Sequence, residues 1–480
     1  MRIILVFVLA LYFGENISYA KFNSETKNNL KEKIEKIIKN SGIPEKSLSI
    51  YINDGEKENE PIFQKNSKEK FIPASITKLA TAAAVLQKIP PGTKLYTRLY
   101  SVGKIEDHTL KGDLYLKGGG DPGFVSESMW FLVNSFLRTQ VKKIEGDIVV
   151  DDTFFDDLRF DPSRQNVRVD RAYDAPTGAM SFNWNSVNVF VRPGKNVGDS
   201  AQVFSDPEND YIILKANVKT VAKGGKTNIE VEREESKKNF QNIIHITGQI
   251  ALDSKEVVVY KNITQPDIWS GMNLISFLKQ RGINVTGKVR TARTPDSAIL
   301  LAEQESKSIE NMLSDMNKFS NNYIAEMLTK NLAATEKQPG TIAKGMEMIR
   351  QYLKSLGISE KEFQLTNPSG LTRDNEITSF ALWKVVHSMK DEFQYQPEFI
   401  TSLPIAGIDG TLKKRMKQTS AERWVRAKTG FLTNVVSLAG YIGRNDGEII
   451  PFVMMFNGKT DENEVRSLFD RICIAVVDSK

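Results

Sequence analysis

The 480 residues carry a formal net charge of +6, three histidines and a single cysteine, Cys473. An internal disulfide is therefore excluded, and the length exceeds one ordinary domain, implying two or three. The positive charge is spread along the chain; it is compatible with an anionic cell-wall or membrane surface, and no nucleic-acid partner is expected.

The chain begins "MRIILVFVLALYFGENISYA", one Arg followed by about a dozen apolar residues and then Ser18-Tyr19-Ala20. This is the layout of a cleavable secretory signal over residues 1–20. It is shorter than the roughly 20 apolar residues that span a bilayer, and no Cys follows that could carry a lipid anchor. The mature chain is expected to start near Lys21 and to work outside the cytoplasm, periplasmic or associated with the cell wall, with peripheral membrane contact compatible with its charge.

Leu30, Ile34, Ile37 and Ile38 recur at helical spacing over 24–40 and predict an amphipathic helix with a basic outer face. "SLSIYIND" predicts a strand. In "FIPASITKLATAAAVLQ" (71–87) Ala and Leu dominate from Ser75 onward, so a mostly buried helix is expected, ended by "IPPGT" at 89–93. From about 93 to 300 the texture changes to short alternating runs separated by Gly, Asp and Asn, a β-rich region. Helices interrupt it around 127–140 and 269–281. Helical periodicity returns after about 305, two strands close the chain in "VVSLAGYIGR" and "EIIPFVMMFNG", and a last helix starts near 462. The simplest account is a helix-rich domain interrupted by a β-rich insertion.

His108, His245 and His387 are far apart and none lies in HxH or HExxH, so a clustered zinc site is not expected. No G-x-S-x-G is present, so a serine hydrolase built on this chain would take a base other than histidine. Ser-x-x-Lys recurs, for example at Ser24/Lys27, Ser67/Lys70, Ser75/Lys78 and Ser101/Lys104. Of these, Ser75 begins an apolar helix, whose free N–H groups and dipole favour developing negative charge. The i, i+3 spacing puts Lys78 on the same face, and burial makes a lysine a better base. The alternative reading of this stretch is a Ser cap beside a solvated Lys. Ser320-Asn321-Asn322 starts another apolar helix or ends the loop before it. Lys428-Thr429-Gly430, the one Lys-Thr-Gly of the chain, enters a strand, where Gly lets a ligand lie against the backbone.

In this order S-x-x-K, S-x-N and K-T-G resemble the penicillin-binding proteins and serine β-lactamases. "GGGDPGF" (118–124), "IEGDIVVDDTFFDD" (144–157), "YDAPTGAMSFNWNSV" (173–187), "NPSGLTRDNEIT" (367–378) and "LPIAGIDGTLKKR" (403–415) are similar to the penicillin-binding protein 4 type of D-alanyl-D-alanine carboxypeptidase/endopeptidase, the low-molecular-mass class C enzymes of peptidase family S13. So is the long gap between Ser75 and Ser320. Against this background, the G-x-G-x-x-G of Gly118, Gly120 and Gly123 reads as a structural turn and not as a dinucleotide site.

The resemblance implies an α/β (α+β) DD-peptidase core, an antiparallel sheet flanked by helices, with inserted β-rich domains. The expected division is 21–92 with 300–480 as the peptidase domain, 93–188 with 266–299 as a second domain, and 189–265 as a third. It also implies peptidoglycan stem peptides as substrate, β-lactams as covalent inhibitors, and no metal or organic cofactor. Ser75 would be the nucleophile and Lys78 its base. Ser320 would relay a proton, Asn322 would orient Lys78, and Lys428 would supply positive potential. Thr429 would bind the substrate carboxylate beside Gly430, and the Ser75 and Phe431 amides would form the oxyanion hole. Phe431 stands where Thr or Ser is common, and Asn367 where Asp is usual. Asp151 and Arg373 are candidates for holding the zwitterionic end of a diaminopimelate side chain, against a strand-end Asp and a solvated Arg. A serine β-lactamase and an inactive peptidoglycan-binding protein are the alternatives.

Overall fold

The structure is a computed structural model that describes residues 24–164, 174–206, 208–236 and 240–479; the signal segment expected at 1–20 lies outside the described residues. Helix α1 (Ser24–Lys39) buries Leu30, Ile34 and Ile38, as their spacing implies. Strand β1 (Leu48–Ile52) is buried throughout, with β2 (Phe63–Lys65) antiparallel beside it. Helix α2 (Lys78–Lys88) is buried from Lys78 to Leu86. Its alanines are strong helix formers that let neighbouring elements come close. It stops at Ile89, which is extended as a residue before proline tends to be.

The C-terminal part supplies α3 (Ile309–Lys318), α4 (Asn322–Ala334), α5 (Ile342–Ser355) and α6 (Ser379–Asp391). It then forms β3 (Val425–Leu432), β4 (Val435–Gly443), β5 (Ile449–Asn457) and α7 (Glu462–Val477). One antiparallel sheet runs β2-β1-β5-β4-β3, so both ends of the described chain build it, with Leu48 of β1 opposite Phe456 of β5. Side chains alternate across this sheet. Phe452, Leu438 and Ile50 face α1 and α7, meeting Ile34, Leu468 and Ile472. Val453, Ala439 and Tyr51 face the other helices, meeting Leu79 of α2, Leu328 of α4 and Trp383 of α6.

Between α2 and α3 the described residues form four further sheets. Strand Lys94–Ser101 pairs antiparallel with Ile299–Ser308, and the Ile309 amide donates to the Thr93 carbonyl at 3.0 Å. This segment therefore leaves and rejoins the core side by side. It contains the helices Ser126–Leu137 and Pro266–Gln280 and a three-stranded antiparallel sheet in which Ser186–Arg192 runs between Gln202–Asp206 and Val257–Asn262. A side chain at Gly118 would put its first carbon 2.3 Å from the Ala179 carbonyl oxygen. Gly120 has φ +81°, and its carbonyl accepts from Asn331 Nδ2 at 2.8 Å. These close approaches account for the two glycines. Among the described residues no helix is long and apolar enough to cross a membrane.

Candidate active site

Ser75 lies on a short 3₁₀ turn, Ala74–Thr77, that runs directly into α2. Ala74 has φ +51°, a conformation that costs an L-residue roughly 1–2 kcal/mol. Neighbouring groups hold it there. Thr77 Oγ1 donates to the Ala74 carbonyl at 2.8 Å, and Ser437 Oγ of β4 donates to the Pro73 carbonyl at 2.6 Å. The result is a half-buried Ser75 hydroxyl presented ahead of a buried helix.

Lys78, the first residue of α2, is fully buried. It donates to Ser75 Oγ at 3.1 Å, to Asn322 Oδ1 at 2.7 Å and to the Ser369 carbonyl at 2.6 Å. The third bond comes from the loop "NPSGLTR". That loop is folded around Asn367, whose Oδ1 accepts from the Ser369 amide and hydroxyl and the Gly370 amide at 2.9, 2.6 and 2.9 Å.

A second lysine approaches from the sheet. Lys428 Nζ of β3 donates to Ser320 Oγ at 2.8 Å and to the Thr429 carbonyl at 2.7 Å. Burial pushes its pKa down to about 7. Ser320 sits at the break between α3 and α4 with φ +55°. The next residue, Asn321, caps α4 by accepting from the Ile324 amide at 3.1 Å. Ser320 and Asn322, two residues apart, thus each accept from one of the two lysines. Ser320 accepts from Lys428, which leaves its own hydroxyl proton to donate elsewhere.

Strand β3 passes close to Ser75. A first side-chain carbon at Gly430 would stand 3.1 Å from the Ser75 amide nitrogen, 2.8 Å from the Pro73 carbonyl oxygen and 2.1 Å from Ser437 Oγ. Only a glycine allows this approach. Thr429 Oγ1 bonds to Thr411 Oγ1 at 2.7 Å on the exposed side. A serine, its lysine neighbour and a second lysine on a facing strand make a base-assisted acyl-transfer constellation.

A profile of the D-Ala-D-Ala carboxypeptidase 3 (S13) family matches residues 30–475. The chain belongs to that family. A D-alanyl-D-alanine carboxypeptidase of Actinomadura sp. (strain R39) is 28% identical over 443 residues, 89% of this chain and 81% of the relative. The crystal structure of penicillin binding protein 4 from Haemophilus influenzae superposes with a TM-score of 0.77 at 23% identity, covering 92% of this chain and 98% of that one. The same protein complexed with a β-lactam gives a TM-score of 0.74 at 22% identity, covering 92% and 99%. This S13 chain is a serine DD-peptidase of the penicillin-binding protein 4 type.

Within this S13 site the structure brings together Ser75, Lys78, Asn322, Ser320, Lys428 and Gly430. Phe431 is half exposed beyond Gly430, with the Arg466 guanidinium 4.8 Å above its ring. Arg373 is exposed and donates to the Thr433 carbonyl at 2.6 Å, tying the "SGLT" loop to the end of β3. Asp151 is different. Its side chain is enclosed and accepts from Thr153 Oγ1 at 2.7 Å and from the Thr153 and Thr294 amides at 3.0 and 2.8 Å. These bonds pull its pKa down against burial.

Two participants were not singled out from the sequence. Thr411 lies within "LPIAGIDGTLKKR" (403–415) and carries no signal of its own there. Asp161, from the inserted region, accepts from Asn367 Nδ2 at 2.7 Å and from the Ser163 amide at 2.9 Å, and nothing in the sequence around it signals that contact. A further Ser-x-x-Lys, Ser276/Lys279, lies inside the helix Pro266–Gln280 with its lysine exposed.

Proposed function

We propose that this enzyme hydrolyses the D-Ala-D-Ala ends of peptidoglycan stem peptides, and the D-Ala-diaminopimelate cross-links between them, through an acyl-enzyme on Ser75. The observation that supports this reading is the double lysine network around Ser75, Ser320 and Asn322. Lys78, neutral at the moment of attack, takes the Ser75 proton as Oγ bonds to the carbonyl carbon of the penultimate D-Ala. The oxyanion is held by the Ser75 and Phe431 amides. Ser320, its oxygen held by Lys428, passes its proton to the leaving amine and regains one from Lys78, so the proton taken from Ser75 is relayed to the leaving group. Thr429 and protonated Lys428 meet the carboxylate next to the scissile bond. Water then releases the acyl group by the reverse proton path. Arg373 stays a candidate for the diaminopimelate end. No metal or organic cofactor takes part.

The chain works outside the cytoplasm as an exported protein. Its peptidase domain comprises 21–92 and 300–480, and 93–299 form the inserted domains. Within the insertion 93–188 with 266–299 form the second domain and 189–265 the third, the strand Ser186–Arg192 running across their division.

β-Lactams mimic the D-Ala-D-Ala end and should acylate Ser75. Incubation with a fluorescent penicillin tests the reading. A stable label that Ser75→Ala abolishes, with D-Ala release lost and the fold kept, is the expected result. Rapid turnover of the label would favour a β-lactamase. Label retained in Ser75→Ala would mean another nucleophile, and no label on the wild type an inactive wall-binding protein.

A further inference from the structure

A cavity of about 530 Å³ opens beside the S-x-N loop. Ser320, Asn321 and Asn322 form one wall, and the inserted region forms the other through Trp184, Asp206 and Tyr260. Ser320 and Asn322 are the residues bonded to the two lysines, so whatever enters this cavity lies next to the reaction.

The far wall is built, not incidental. Asn188 pairs directly with Asp206 on one side and with Tyr260 on the other, so the three form one row across the three-stranded sheet. Trp184 stands at the head of this sheet in a turn where Asn183, Trp184 and Asn185 have φ +49°, +51° and +50°. Three consecutive left-handed residues cost about 1–2 kcal/mol each. The turn is held from both sides. Asn183 accepts from the Ser126 amide at 2.9 Å, and Asn185 Nδ2 donates to the Pro176 carbonyl at 2.8 Å and to Ser181 Oγ at 2.9 Å. Strain maintained this way tends to mark a ligand site, and here it projects a tryptophan that is 49% exposed. Tyr260 and Phe319, also lining the cavity, are 56% and 71% exposed.

The chemistry selects the occupant. Among the described residues the charged ones lining the cavity are Glu127 and Asp206, and none is a Lys or Arg. A stem peptide, rich in carboxylates, is repelled there. A neutral sugar fits: its C–H face lies on aromatic rings, whose faces are electron-rich, and its hydroxyls donate to the carboxylates and to Asn188. We propose that this cavity binds an N-acetylated sugar of the peptidoglycan glycan strand, placing the attached stem for cleavage. Three stem residues separate the sugar from the D-Ala that is attacked, and at about 3.3–3.6 Å per extended residue they reach roughly 10 Å. The proposal rests on the DD-peptidase reading and adds the part of the substrate that the catalytic groups do not touch.

The test compares D-Ala release from a disaccharide-pentapeptide and from the free pentapeptide, in the wild type, Trp184→Gly and Tyr260→Ala. Glycine accepts the left-handed turn, so Trp184→Gly removes the ring without straining the fold. The wild type should prefer the sugar-bearing substrate in kcat/KM by about tenfold or more. Both variants should lose most of that preference, with penicillin labelling and free-pentapeptide turnover unchanged. A wild-type ratio near one, or variants that slow both substrates equally, overturns the proposal. Tryptophan fluorescence titrated with tetra-N-acetylchitotetraose, a neutral stem-free probe, separates the two readings. Saturable quenching lost in Trp184→Gly supports the sugar site even in a chain that penicillin does not label, and no quenching in a chain that it does label sinks the sugar site alone.

Discussion

Lys428 Nζ and Ser320 Oγ are joined by a 2.8 Å hydrogen bond at the meeting of β3 with the break between α3 and α4. Burial of Lys428 brings its pKa from 10.5 to about 7. Between those values the unfolded chain holds a proton that the folded protein lacks, so this group's contribution to stability grows as pH rises, by about 1.4 kcal/mol per pH unit. Lys428→Met lacks that dependence. The variant is expected to be more stable than the wild type at pH 7 and to lose the advantage towards pH 10, while penicillin labelling falls at least about 100-fold. Urea unfolding at pH 7, 8 and 9 measures the first effect. A pH-independent stability difference would mean that Lys428 does not titrate there.

Asn367 connects the inserted region to Lys78. Its Oδ1 gathers the loop that presents the Ser369 carbonyl to Lys78, and its Nδ2 donates to the buried Asp161. Asn367→Asp keeps the first role and turns the second into two facing carboxylates, one of which must take up a proton. Penicillin acylation by Asn367→Asp should fall about 10–100-fold at pH 8 and recover relative to the wild type as pH drops and the pair gains its proton. Asp161→Asn/Asn367→Asp reverses donor and acceptor and should restore wild-type rates at all pH values. Failure of the double variant to recover would show that the contact does not position Lys78.

Residues adjacent in sequence were the most legible part of the site. Ser75 and Lys78 sit on one turn, and Lys428-Thr429-Gly430 on one strand, so local pattern was enough. The bond from Lys78 to Asn322 spans 244 positions and the one from Asn367 to Asp161 spans 206. The first was legible through the order of three familiar motifs; the second has no such signature. Helix α6 was not anticipated. Its Trp383, Val385, Val386 and His387 are weak helix formers, and the buried residues on several sides blur the periodicity, so tertiary packing decides its conformation. A strand-end carboxylate such as Asp151 looks the same in sequence whether it faces substrate or its own backbone.

Gly430 is where the sheet touches the Ser75 turn. The methyl of Gly430→Ala would meet Ser437 Oγ, the Pro73 carbonyl and the Ser75 amide at 2.1, 2.8 and 3.1 Å. Displacing the Ser75 turn by about 1 Å costs on the order of 100-fold in rate, and overpacking costs about 1–3 kcal/mol in stability. Gly430→Ala/Ser437→Ala removes the closest contact, so thermal stability should recover more than acylation. Equal recovery of both would mean that the Ser75 turn is not what the methyl displaces.

Phe431 follows Gly430 on β3, with its side chain on the same side of the strand as Thr429, two residues back. Thr429 already shares a hydrogen bond with Thr411, and Arg466 is occupied over the Phe431 ring and by Asn463. A hydroxyl at 431 would donate to the carboxylate beside the scissile bond. Hydrogen bonds to charged groups are worth about 1.5–3 kcal/mol, or roughly 10- to 100-fold in rate when they tighten in the transition state. Phe431→Thr also releases Arg466 from the ring, adding a cation to the same region. Both the terminal D-Ala and the leaving diaminopimelate centre carry that carboxylate. The longer leaving group has apolar length to lay on the ring, which the short D-Ala does not. Phe431→Thr should therefore raise kcat/KM for D-Ala release more than for cleavage of a cross-linked dimer. Rates on purified muropeptides of both kinds decide it. An unchanged or lower rate of D-Ala release would mean that Phe431 does not limit recognition of the carboxylate.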